Sequence, residues 1–141
     1  MLASTDVVVD SQAATVEPLL VQLPPHMANF FSEVGYMPTA YVEKRSNARM
    51  RVRCEAVITN LYVPAFAKRT KQRARILVKD LSRTGLSILS HQQMWPTETF
   101  SIELHKRKLD ARVVRCRKLG EKCYEVGAVI FSIEVLRDMA E

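Results

Sequence analysis

The chain has no Lys or Arg before residue 44, no apolar run of the roughly 18 residues that a membrane helix needs, and only three cysteines, with no C-x-x-C pair. Each absence removes a class of protein. An N-terminus without a basic first segment is not expected to be a secretory signal peptide, and no membrane span is expected. Cys54, Cys116 and Cys123 are too few and too scattered for a disulfide framework or a zinc site, so the expected setting is a reducing cytoplasm. Catalytic patterns are missing too. There is no nucleophile elbow, phosphate loop or H-E-x-x-H, and His26, His91 and His105 stand far apart. Neither an enzyme nor a resident cofactor or metal is expected.

What is present is a chain of 141 residues, 48% of them hydrophobic, enough for one domain with a modest core plus an extension. Its charge is unevenly placed. Residues 1–43 hold five acids and no Lys or Arg, whereas residues 44–141 hold all 21 basic residues against ten acids, so −5 precedes +11. The asymmetry points to a basic domain that binds something anionic, preceded by an acidic arm that lies on it or is displaced from it. A basic surface kept for solubility is the plain alternative.

Residues 1–25 show no sustained period and read as arm or linker. Met27, Phe30, Phe31 and Val34 then fall at i, i+3, i+4 and i+7, which predicts a short helix over 25–36 that starts at proline and packs on its own domain, or else docks a partner. Strand patterns follow. Val52, Cys54, Ala56 and Ile58 alternate with Arg51, Arg53 and Glu55, and Phe100, Ile102 and Leu104 with Ser101, Glu103 and His105. Further strands are predicted over 75–80, 85–90, 109–118 and 122–131, with a long loop over 61–71. Phe100, Tyr124 and Phe131 fit core positions. A symmetric turn at Leu119-Gly120 would set Cys116 opposite Cys123, as two small apolar side chains or as a redox pair. Ser132 is read as the cap of a closing helix carrying Ile133, Leu136 and Met139. The expected fold is mainly all-β: a six-stranded antiparallel β-barrel over 41–141 with short N-terminal and C-terminal helices, preceded by an acidic arm over 1–40.

Two motifs carry the functional reading. Arg45-Ser46-Asn47-Ala48-Arg49 places two guanidinium groups four residues apart where the acidic segment meets the basic one. Arginine's planar fork matches phosphate and the O6/N7 edge of guanine. About thirty residues on, Asp80-Leu81-Ser82-Arg83-Thr84-Gly85 forms D-x-S-x-x-G between two strand-like runs, a tight hairpin with a carboxylate and a hydroxyl at its mouth. Asp80 can accept from guanine N1 and N2 or hold an arginine in place; Ser82 offers a hydroxyl, and Gly85 a positive φ or close ligand approach. Each also has a plain structural use, an Asx-type turn for the acid and serine and turn geometry for the glycine.

In this order and separation the two motifs resemble the PilZ-domain family, bacterial receptors for cyclic di-GMP. The resemblance covers 41–141 and extends to Leu109–Arg115, Tyr124–Gly127 and Phe131, similar to the family's last hairpin. It implies a barrel with cyclic di-GMP held between the arginine segment and the hairpin, by Lys44, Arg45, Arg49, Asp80, Ser82 and Gly85, and a downstream protein partner moved by the ligand; a homodimer is compatible with it. Lys44 stands where the family often has another Arg, and Thr84 where a second glycine is frequent, which leaves open one ligand or an intercalated pair. Two other readings compete. One is a small basic barrel binding nucleic acid through Lys68, Arg69, Lys71, Arg73 and Arg75, with Tyr41, Tyr62, Phe66 and Trp95 as stacking platforms. The other is an interaction module on the same fold without ligand.

Overall fold

In a computed structural model, residues 16–33, 35–36, 49–69 and 71–136 are described. The alternating patterns become strands: β1 (Val16–Glu17), β2 (Gly35–Tyr36), β3 (Met50–Tyr62), β4 (Arg73–Leu81), β5 (Gly85–Ser90), β6 (Thr99–Leu104), β7 (Arg107–Gly120) and β8 (Cys123–Val135). Six of them close on themselves in the order β3-β4-β5-β8-β7-β6, every pairing antiparallel, because β3 pairs with both β4 and β6. This is the six-stranded barrel expected from the sequence. The short strands β1 and β2 are added outside it, β1 parallel to β4 and β2 antiparallel to β3.

The barrel is filled from the inward positions. Ile58 on β3, Ile76 and Val78 on β4, Leu86 and Ile88 on β5, Phe100 and Ile102 on β6, Ala111 and Val113 on β7, and Val126 and Ala128 on β8 form one buried cluster. Val52, Cys54 and Ala56 pack against it, as their alternation requires. Removing such surface from water is the main stabilising term, about 25 cal/mol per Å².

A second, smaller cluster lies outside the barrel wall. Phe30, Leu77, Leu89 and Cys123 are buried there, with Leu19, Val21, Leu23, Met27 and Leu119 packed against them. Residues 16–33 thus strap the barrel instead of forming the linker expected over 16–25. Leu19, Val21 and Leu23 repeat every second residue, a period that short extended segments use to lie on a sheet. The strap is fastened by the Gln22 amide, which donates to Lys122 O at 3.1 Å, and by a His91 Nε2 to Glu17 Oε1 contact of 3.2 Å.

Three expectations are corrected. The helix predicted over 25–36 is two single 3-10 turns, Pro25–Met27 and Phe30–Ser32, followed by β2. A helix this short is marginal alone. Neither turn has a side-chain N-cap, and burying Phe30 against the wall sets the path of the chain. At the other end, Ser132–Val135 continue β8, because β7 offers them an edge at Arg107–Asp110 and the β-branched Ile133 and Val135 suit a strand. Met139 lies outside the described residues. Finally, the β7–β8 turn is at Glu121-Lys122, so Cys116 pairs with Val126, and Cys123, directly after the turn, pairs with Gly120. Cys116 packs on the inner core and Cys123 in the outer cluster, on opposite sides of the wall.

Loop 63–69 is anchored by a buried ion pair. Arg69 Nη2 bonds Glu98 Oε2, which also accepts from the Trp95 amide at 2.8 Å. Among the described residues no helix is long and apolar enough to cross a membrane, and no group of His, Cys, Asp and Glu is arranged to hold a metal ion.

Candidate functional site

The barrel pairing brings distant residues into one row. Arg51 lies opposite Asp80, Asp80 opposite Ser87, Ser87 opposite Gly127, and Gly127 opposite Arg115. Directly opposed residues share a face. Their neighbours Leu86, Ile88, Val126 and Ala128 point into the core, so this row belongs to the outer face.

Over the row opens a cleft of about 200 Å³, floored by Asp80, Ser82, Gly85 and Ser87 and walled by Arg49, Arg115, Val114 and Val129. Four of the six residues expected to form the site therefore meet. Arg49 enters from the residue before β3, Asp80 from the end of β4, Ser82 from the hairpin and Gly85 from the start of β5. Lys44 and Arg45 lie outside the described residues.

The hairpin explains why this sequence turns here. The Ser82 amide donates to Gly85 O at 2.9 Å, and Ser82 Oγ accepts from the Gly85 amide at 3.1 Å. Ser82 thus serves the turn first, although its oxygen keeps a second lone pair for a ligand. Gly85 sits close to its neighbours: an added Cβ would lie 3.3 Å from Ala128 O, tight enough to need a small shift, and 3.6 Å from Ser82 Oγ, an ordinary contact.

Asp80 is only 3% exposed and already ion-paired. Its Oδ2 is 3.2 Å from Lys79 Nζ, and its Oδ1 is 3.5 Å from Arg53 Nη2. Lys79 also reaches Glu125 Oε2 at 3.0 Å, and Arg117 bonds Glu125 Oε1 at 2.6 Å. Burial pushes the Glu125 carboxyl up, but hydrogen bonds and charge from Lys79 and Arg117 outweigh it and hold the group below the usual range.

The residue that the strand pattern hid is Arg53. Alternation places it on the outer face, where a charged residue is normally solvated, yet it is 8% exposed. A bulge between Arg51 and Cys54 gives it a left-handed φ of 53°. From there Nε donates to Lys79 O at 3.1 Å, Nη1 reaches Glu33 at 3.4 Å, and the guanidinium lies 4.9 Å from the centre of the Phe30 ring. The signal in the sequence was the apolar strap, which needed a wall to cover.

Two cleft residues were also missed. Ser87 Oγ is buried without a hydrogen-bond partner among the described residues, an orphaned hydroxyl on the cleft floor. Arg115 lies across Gly127, where an added Cβ would meet its Cγ and Nε at 3.0 Å. A glycine in mid-strand often marks such a close approach, and that was the available signal.

The basic cluster of the nucleic-acid reading is partly engaged. Arg69 is bound to Glu98 and Arg75 to Glu55 at 3.3 Å. Tyr62 and Phe66 are exposed, Trp95 is half-buried with its ring against Phe66, and Tyr41 lies outside the described residues. Scans against protein-family models, curated proteins and solved structures each found no match.

Proposed function

We propose that the protein is a receptor for cyclic di-GMP of the PilZ type, acting by binding and not by chemistry. The observation that supports this most is the cleft that gathers Arg49 with Asp80, Ser82 and Gly85, residues from two motifs some thirty positions apart, and adds Arg115. Guanidinium groups on both sides suit a ligand with two phosphates and two guanines. The orphaned Ser87 hydroxyl suits a polar ligand atom reaching the floor.

At about 200 Å³ the cleft is smaller than the roughly 300–1,000 Å³ of whole small-molecule pockets. It has room for one base or phosphate, and in this reading Lys44 and Arg45, which precede Arg49 in the sequence, bind the rest of the ligand. Lys44, Arg45 and Arg49 are three cations within six residues, so a dianionic ligand relieves their repulsion as it draws the segment down. The movement is passed to a protein partner.

Calorimetric titration of cyclic di-GMP, with GTP as control, tests the reading. Binding of the dinucleotide alone, weakened about 10- to 100-fold by Arg49→Ala, is expected for the loss of one forked contact. A wild-type protein that releases no heat and shows no ligand-dependent change would sink it. The second reading, an interaction module without ligand, has one observation in its favour: Ser82 and Asp80 are already engaged within the fold.

A further inference from the structure

The last part of β8 carries apolar side chains that the described structure leaves open. Phe131, Ile133 and Val135 are 54%, 51% and 68% exposed. Phe131, read from the sequence as core, is the extra residue of a bulge: Ile130 pairs with Ala111 and Ser132 with Asp110, leaving it between.

Among the described residues, the same stretch has an unoccupied edge. β5 pairs with β8 only as far as Gly85 opposite Val129, with one more bond from the Ile130 amide to Thr84 O. On its other side β8 remains paired with β7 through Val135. In an antiparallel ladder a residue's N–H and C=O share one edge and alternate along the strand. Leu136 donates to Lys106 O, on the β7 side, so Ser132 and Glu134 also face β7 and Ile133 and Val135 face the unoccupied edge. Such edges are normally guarded by Lys, Pro or a covering element. Residues 131–135 read Phe-Ser-Ile-Glu-Val, with a single charge.

We propose that this edge pairs with the same edge of a second copy of the chain, about a two-fold axis at Ile133. An antiparallel pairing centred on one residue is self-complementary, as a two-fold interface requires. Ile133 then meets its counterpart through two N–H···O=C bonds, Phe131 lies opposite Val135, and Ser132 lies opposite Glu134. Charge selects this register. Centring on Glu134 would set carboxylate against carboxylate, and centring on Ser132 would bring Val135 to Val129, where β5 already holds the edge. The occupant is therefore an apolar strand of matching pattern, and the chain itself supplies one.

Sedimentation of the full chain from about 10 µM to about 1 mM, the range in which small interfaces associate, is expected to move from 16.1 kDa towards twice that mass. Ile133→Lys sets two ammonium groups together at the axis, and Val135→Pro removes an edge donor while sparing the β7 side. Both are expected to stay at the monomer mass with an unchanged circular dichroism spectrum. Phe66→Lys, at an exposed apolar position elsewhere, keeps the dimer. Amide exchange at Ile133 and Val135 in the wild type slows as concentration rises, a reading independent of how the variants fold. A wild type that stays monomeric, or a dimer that survives Ile133→Lys in folded protein, overturns the proposal. So does a chain cut after Leu136 that dimerises where the full chain does not, since residues 137–141 then cover the edge.

Discussion

Arg53 Nη2 lies 3.5 Å from Asp80 Oδ1 with both side chains buried, so the carboxylate on the cleft floor is also the counter-ion of the arginine on which Phe30 rests. Cleft and strap share one charge. A ligand group that drew on Asp80 would change what holds Arg53, and Arg53 in turn touches Glu33 and Phe30 of the strap.

Arg53→Ala removes that connection. It leaves Asp80 with Lys79 alone, deprives Lys79 O of its donor and takes the cation from beneath Phe30. Breaking a buried pair costs about 3–5 kcal/mol, and the exposed Glu33 contact adds little. Urea unfolding is expected to show a loss of about 3 kcal/mol, with faster proteolysis within residues 16–33 than in the barrel. An Arg53→Ala protein as stable as the wild type would mean that Arg53 does not tie the strap down. The same geometry makes Asp80→Ala a poor probe of ligand contact, because lost binding and lost stability would coincide; Asp80→Asn separates them better.

The two serines of the cleft are expected to behave oppositely. Ser82 Oγ accepts from the Gly85 amide, so Ser82→Ala lowers stability by about 1 kcal/mol through the turn. Ser87 Oγ has no partner to lose among the described residues, so Ser87→Ala leaves stability unchanged or raises it. If the cleft binds a polar ligand, Ser87→Ala weakens that ligand about fivefold or more, the equivalent of one hydrogen bond. Measuring both quantities on both variants decides it. A destabilised Ser87→Ala would show that its hydroxyl is already satisfied in the fold.

Acid should lower the stability of the fold through His91. Burial pushes the His91 imidazole below its ordinary value, Lys122 and Arg69 push the same way, and Glu17 opposes them. The unfolded chain, with an ordinary histidine near about 6.5, then binds more protons than the folded one as pH falls below that value, so stability falls with pH until the folded group titrates as well. Glu125, also held low, acts in the same direction in a more acid window: its contribution is full above the ordinary carboxylate range and is lost as pH falls through its folded value. Urea midpoints at a series of pH values from 7.5 to 5.5 are expected to fall, and His91→Gln to flatten the decline. Equal slopes in both proteins would remove His91 as the cause.

Period two in residues 52–58 and 100–104, and the D-x-S-x-x-G turn, were enough to lay out the barrel, because each strand buries one face and the turn bonds are local. Of the two motifs, Arg49, Asp80, Ser82 and Gly85 line one cleft. What the pattern could not carry was anything set by a second layer. Arg53 and Leu77 occupy outward positions on their strands, and only the strap turns outward into buried. Phe131 fitted the core by alternation until the bulge displaced it. The apolar spacing that begins at Ser132 is compatible with a helix, but β7 outreaches the barrel and its open edge decides in favour of strand over Ser132–Val135. Long-range pairing overrides local preference in each case.

Gly127 provides the sharpest test of the cleft's second wall. It stands opposite Arg115 and Ser87 in the middle of the sheet, and its missing side chain is what lets Arg115 lie flat across the strand. In Gly127→Ala the new Cβ would meet Arg115 Cγ and Nε at 3.0 Å, too close to keep. The exposed arginine is flexible and swings away, so the fold should lose no more than about 1 kcal/mol and could gain from a residue better suited to a strand than glycine. The cleft, however, loses a guanidinium wall. Affinity for cyclic di-GMP is expected to drop by about as much as in Arg115→Ala, with the double variant no worse than either alone, since both remove the same contact. Additive losses would mean that Gly127 touches the ligand itself, and full affinity in both single variants would take Arg115 out of the site.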